Sequence, residues 1–188
     1  TLERPGAPLA VEDFAALRRA GWRVSPVLEG RLPLPGEGVP IRVVGLDLLS
    51  APPSALPAGL TAIGPDTPPA DLFGPPGLAI ASAGTAARLR AAFAGDPAGP
   101  EIRADAAMPP GEVLSDIGTA ERLLGRAGEI TRLMVLPEQP LGRPPLSEVA
   151  PDLVRQEAQT EGEIARLTSS FHLNLTAFGL LSFGVGLF

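Results

Sequence analysis

Two stretches of this chain repeat one pattern: residues 78–89, LAIASAGTAARL, and residues 112–123, EVLSDIGTAERL, align with Gly84 on Gly118 and Thr85 on Thr119. Five of the six positions from Gly84 to Leu89 are shared. In each copy a short apolar run reads as a strand, a small-residue turn follows, and a Thr before the next apolar-periodic stretch offers an N-cap hydroxyl. Strand, turn and capped helix, met twice, describe a duplicated βα unit; the alternative is coincidence in an Ala-rich chain. The first helix is expected over about residues 85–93, and Gly125 stops the second.

The sequence before the first copy extends this picture. Val11, Phe14 and Leu17 are spaced three apart with Glu12, Asp13, Arg18 and Arg19 between them, and Gly21 follows, which predicts a short amphipathic helix. WRVSPVLEGRLPL (residues 22–34) and VPIRVVGLDL (residues 39–48) flank the turn residues PGEG, so they form a hairpin with a kink at Pro26. Residues 50–76 hold too much Pro and Gly for regular elements and read as a long surface loop, with partial disorder as the alternative. Between the copies the expectation is loop with one weak strand at Glu101–Ala104. Residues 129–137 read as a further strand, and residues 138–151 as a second Pro-rich loop.

No Pro interrupts residues 152–188, and Ile164, Leu167, Phe171, Leu175 and Phe178 recur at helical spacing. Arg155, Glu157, Glu161, Glu163 and Arg166 all precede Thr168, and nothing charged follows it. Residues 171–188 are 18 uncharged residues, apolar on every face, against the roughly 20 that a membrane-spanning helix needs. They read as the truncated start of a transmembrane helix, with a buried core helix as the alternative. The organisation expected is an extracytoplasmic domain over residues 1–150, a connecting helix over 151–170 and membrane helix from 171 to 188. Within that helix the small residues Gly179, Ser182 and Gly186 form a face for close helix packing. The beginning of the chain has no Met, no basic segment and no short apolar core, so it does not read as a signal peptide and looks cut from something longer.

Composition limits the chemistry. The chain has 188 residues, room for one ordinary domain, with 45% hydrophobic but only 4% aromatic residues. All 15 basic residues are Arg, which together with abundant Ala, Gly, Pro and Leu points to a GC-rich bacterial genome. A net charge of −6 argues against nucleic acid as a partner. With no Cys and a single His, His172, there is no thiolate chemistry, no His-based triad and no Cys/His metal site. His172 reads as an interfacial residue, and Asp116, at the end of an apolar strand, as a cap or turn former rather than a ligand group. No Gly-rich stretch has the Lys or the spacing of a phosphate cradle, so neither an enzyme nor a cofactor is expected.

The junction RLTSSFHLNLTAFGLLSFGVGLF, together with GWRVSPVLEGR, IRVVGLDLL and SDIGTAERLLGRAGEITRLMV, resembles FtsX/MacB-type ABC transporter permeases. The similarity runs from about Phe14 to Phe188. Residues 91–111, rich in Ala and Pro, depart from the regular hairpin that the family carries there. The resemblance implies a mixed α+β periplasmic domain between two membrane helices of the bacterial inner membrane. A continuous lever helix, here carrying Ile164, Leu167, Phe171 and Leu175, would lead into the second of them. It further implies a permease dimer paired with a cytoplasmic ABC ATPase, driving export or extraction of a lipid, lipoprotein, peptide or drug, with membrane lipid as surroundings. The other reading is a membrane-anchored extracytoplasmic binding or sensor domain without transport.

Overall fold

The computed structural model describes residues 1–36, 38–64 and 67–156. The lever residues Ile164, Leu167, Phe171 and Leu175, the packing face Gly179, Ser182 and Gly186, His172 and the membrane helix itself lie outside the described residues. Among the described residues, no helix is long and apolar enough to cross a membrane.

In chain order the elements are β1 (Leu2–Glu3), β2 (Leu9–Ala10), α1 (Val11–Arg19), β3 (Val24–Leu32), β4 (Ile41–Leu46), α2 (Pro69–Phe73), β5 (Leu78–Ala81), α3 (Ala83–Ala92), β6 (Glu101–Ala104), β7 (Glu112–Asp116), α4 (Ile117–Leu124), β8 (Glu129–Ile130), β9 (Arg132–Val135), α5 (Leu146–Val149) and β10 (Val154–Arg155). They build a mixed α+β domain around an eight-stranded sheet in the order β10-β1-β9-β3-β4-β7-β5-β6, with β2 and β8 paired separately. The hairpin β3–β4 is antiparallel, β4–β7 parallel, β7–β5 antiparallel and β5–β6 parallel.

Strand alternation sorts the side chains onto two faces. Leu28, Val43 and Ala120 pack together, so α4 lies on the face that carries Leu28 and Val43. Two strand glycines admit it: a Cβ on Gly45 would collide with that of Ala120, and one on Gly30 with the end of Leu124. On the same face α3 buries Ala86 and Leu89 against Ile41, Ala79, Ala81 and Val113. Full burial of such a Leu is worth about 1.5–3 kcal/mol, which is how so short a helix is held. A third cluster joins Leu17 of α1 and Trp22 to Leu2, Leu9, Ile130 and Leu133.

The opposite face corrects the expectation for residues 50–76. That stretch is not a free loop: Ala55, Leu56, Leu60, Ile63 and Leu72 pack over Val27, Leu46, Leu78, Ile80, Leu114 and Met108. Its backbone is satisfied by a 3-10 turn at Pro53–Ala55, by α2, and by Asp105. The Asp105 carboxylate accepts hydrogen bonds from the backbone of Thr61 and Ala62, both at 2.7 Å, from the Thr61 hydroxyl at 2.9 Å and from the Ala107 backbone at 2.8 Å. The Ala107, Thr61 and Ala62 bonds outweigh the effect of burial and lower its pKa from 3.8 to about 2. A cross-strand charge ladder adds further polar contacts on the sheet: Arg132 pairs with Glu29, and Arg42 reaches Glu29 and Glu112, each at 2.8 Å. Burial alone would raise the Glu29 carboxyl, but the Arg42 and Arg132 guanidiniums hold it below the ordinary range.

Three further expectations change in detail. The strand expected over residues 129–137 is broken at Thr131, whose hydroxyl accepts from the Glu29 backbone at 2.8 Å, so β8 and β9 join different sheets. Neither Thr is a cap. Ser82 and Asp116 hold the cap positions, and Thr85 and Thr119 lie one turn inside their helices. Residues 154–155 are a strand rather than the first turn of a helix, because β1 takes them as its antiparallel partner.

Candidate functional site

Because β5 and β7 run antiparallel and each feeds a helix back over the same face, α3 and α4 lie on that face in opposite directions. Between them runs a groove of about 400 Å³, with Leu32 and Leu34 from the end of β3, Phe93 from the end of α3 and Leu123 from α4. Ligand clefts commonly measure about 300–1,000 Å³, so this one lies in the small-molecule range. Its polar groups are few. Arg122 extends from α4 and donates through Nη2 to the Pro76 carbonyl at 3.1 Å and to Thr119 Oγ1 at 2.9 Å. Asp96 follows α3 and accepts from the Ala98 backbone at 2.9 Å.

Asp116, singled out by its place at the end of a strand, caps α4: its carboxylate accepts from the Gly118 backbone at 3.0 Å. Burial, and to a lesser degree the neighbouring Asp47 carboxylate, raise its pKa. Asp47 is itself committed to the turn after β4, accepting from the Leu49 backbone and the Ser50 hydroxyl. Both carboxylates serve turn and cap. Among the described residues there is no group of three His, Cys, Asp or Glu side chains placed to hold a metal ion.

All seven side chains assigned from the sequence to the lever and the membrane packing face lie beyond residue 156. The groove was missed. Arg122 stood in the sequence as one identity of the repeat, matched by Arg88, and no spacing signalled that the two helices would leave a cleft between them.

No protein family model, curated protein or solved structure matches this chain.

Proposed function

We propose that the chain is the extracytoplasmic portion of an FtsX-like ABC transporter permease of the bacterial inner membrane. It would pass ATPase-driven motion to the export or extraction of a lipid, lipoprotein, peptide or drug. The observation that carries this reading is the pairing of Leu2 with Arg155 and of Glu3 with Val154. The two ends of the domain leave side by side, as a domain hung between two neighbouring membrane helices needs. Residues 171–188, free of charge, follow the second of these ends.

The same edge is built to bear load. β1 bonds both to β10 and to β9, and β9 is anchored on β3. Arg4 ties the entering strand to Asp152 and to Asp13 of α1. Displacement of the ends therefore reaches the central hairpin through hydrogen-bonded neighbours. In this reading the domain performs no covalent chemistry; its partners are a cytoplasmic ABC ATPase, a second permease copy and membrane lipid.

Isolation of the complete protein from its host membrane tests the reading. It should bring with it an ATP-hydrolysing subunit, and Leu167→Pro, which removes a backbone donor and costs a helix about 3 kcal/mol, should uncouple hydrolysis from transport. Recovery without any nucleotide-hydrolysing partner favours the anchored binding domain, a reading to which the groove between α3 and α4 also lends support.

A further inference from the structure

We infer that the groove between α3 and α4 is a binding site for a single-tailed anionic amphiphile, its carboxylate against Arg122 and its tail along Phe93. The site lies within the domain and does not depend on the permease reading.

Arg122 decides the head group. Arg4, Arg42, Arg103, Arg126 and Arg132 are each ion-paired with a carboxylate. Arg122 is bound only to two neutral oxygens, both through Nη2, and among the described residues no carboxylate pairs with it. Those two acceptors take both Nη2 hydrogens and fix the plane of the guanidinium, leaving Nη1 and Nε each to donate a single charge-assisted bond to a carboxylate. A guanidinium held in place before the ligand arrives lowers the entropic cost of binding.

The walls decide the rest of the ligand. Leu32, Leu34, Phe93 and Leu123 are apolar, and the backbone around them belongs in part to Pro33, Pro35, Pro76 and Pro100. Proline has no N–H, so these positions offer no donor to an extended peptide laid in the groove, whereas an alkyl chain needs none. Among the residues lining the groove Arg122 is the cation and Asp96 the carboxylate, so an anionic head is drawn to the Arg122 end. Arg90, which donates to the Ile102 carbonyl at 2.8 Å, shares a neighbouring depression with Asp96 and offsets its charge there.

The test is calorimetric titration of the complete chain, held in phosphatidylcholine nanodiscs, with octanoate, octanol and octyltrimethylammonium, and with empty discs as blank. Octanoate should bind saturably and about tenfold more tightly than the other two, the factor expected of a charge-assisted contact. Arg122 is exposed, so Arg122→Gln keeps the fold and should bring octanoate down to the level of octanol. Ala92→Trp, filling the groove, should weaken all three ligands, with circular dichroism confirming that the variant is folded. Discs doped with oleate separate the sources: loss of octanoate binding there identifies a membrane-dissolved amphiphile as the occupant, and unchanged binding a free one. No saturable binding above the blank, equal affinity for the cationic amphiphile, or full octanoate affinity in Arg122→Gln overturns the proposal. ATPase association enters none of these readouts, so failure here is distinct from failure of the permease reading.

Discussion

Ile80 and Leu114 stand directly opposite one another in the antiparallel pair β5–β7, and they are also matched positions of the two βα units. The units are therefore related by a local two-fold axis passing between these residues. The match extends further upstream than residues 78 and 112, since Pro75, Pro76 and Gly77 repeat as Pro109, Pro110 and Gly111. Each copy leans on the other across the axis. Thr85 Oγ1 accepts from the Gly111 backbone at 2.8 Å, and Thr119 lies so close over Gly77 that a Cβ there would collide with its hydroxyl.

These equivalent glycines should respond differently to substitution. Both have positive φ, 81° at Gly77 and 77° at Gly111, which alone costs an L-residue about 1–2 kcal/mol. A methyl added at Gly111 would meet no atom within 4 Å, whereas one at Gly77 would meet Thr119 and Arg122. Urea unfolding should show Gly111→Ala losing about 1–2 kcal/mol and Gly77→Ala losing more, since overpacking adds about 1–3 kcal/mol. Equal losses would show that Thr119 yields freely.

A second pair separates packing from propensity. Gly45→Ala sets a methyl against Ala120 and the backbone of Ile117, and should cost about 1–3 kcal/mol. Gly84→Ala, exposed in the first turn of α3 with no neighbour within 4 Å, should add up to about 1 kcal/mol of stability. Thermal unfolding midpoints shifting in opposite directions are the expected outcome.

Asp105 makes the hold on residues 51–72 dependent on acid. Its folded pKa is about 2 against an ordinary 3.8, so the ionised form is the one the fold favours. The stabilisation is present above pH 3.8 and is lost as pH falls from there toward 2. Wild type should exceed Asp105→Asn in urea midpoint at neutral pH, and the gap should close across that window. A gap unchanged at pH 2 would mean that the carboxylate charge is not what holds Thr61 and Ala62.

The repeat and the hairpin were legible because their signals are local: β5 and β6 fall where the apolar runs put them, and Gly21 and Gly125 stop α1 and α4 with positive φ. What stayed hidden depends on distant partners. Leu2–Glu3 and Val154–Arg155 are strands only because they meet across the sheet. The Pro-rich stretch reads as loop by composition: Leu56, Leu60 and Ile63 stand four and three apart, a helical spacing, but Pro57 and Gly59 argue against a helix there, and the sheet face that these side chains cover lies far away in the sequence. Thr85 and Thr119 looked like caps because Thr often is one, but Ser82 and Asp116, three residues earlier, stand at the cap positions; Asp116 bonds the helix end, whereas the Ser82 hydroxyl bonds that of Thr85. The groove arises from the angle between two helices, which no single stretch encodes.

Cysteine labelling in the bacterial host tests the extracytoplasmic placement of the domain; these 188 residues contain no native Cys, and any elsewhere in the complete protein is first replaced by Ser. Leu141, fully exposed on the domain, and Val185, in the uncharged stretch, are each replaced by Cys in the complete protein. An extracytoplasmic domain predicts that a membrane-impermeant maleimide that crosses only the outer envelope labels Leu141→Cys in intact cells. It also predicts that Val185→Cys stays unlabelled until detergent dissolves the membrane. Labelling of Leu141→Cys only after lysis, or of Val185→Cys in intact cells, would contradict it.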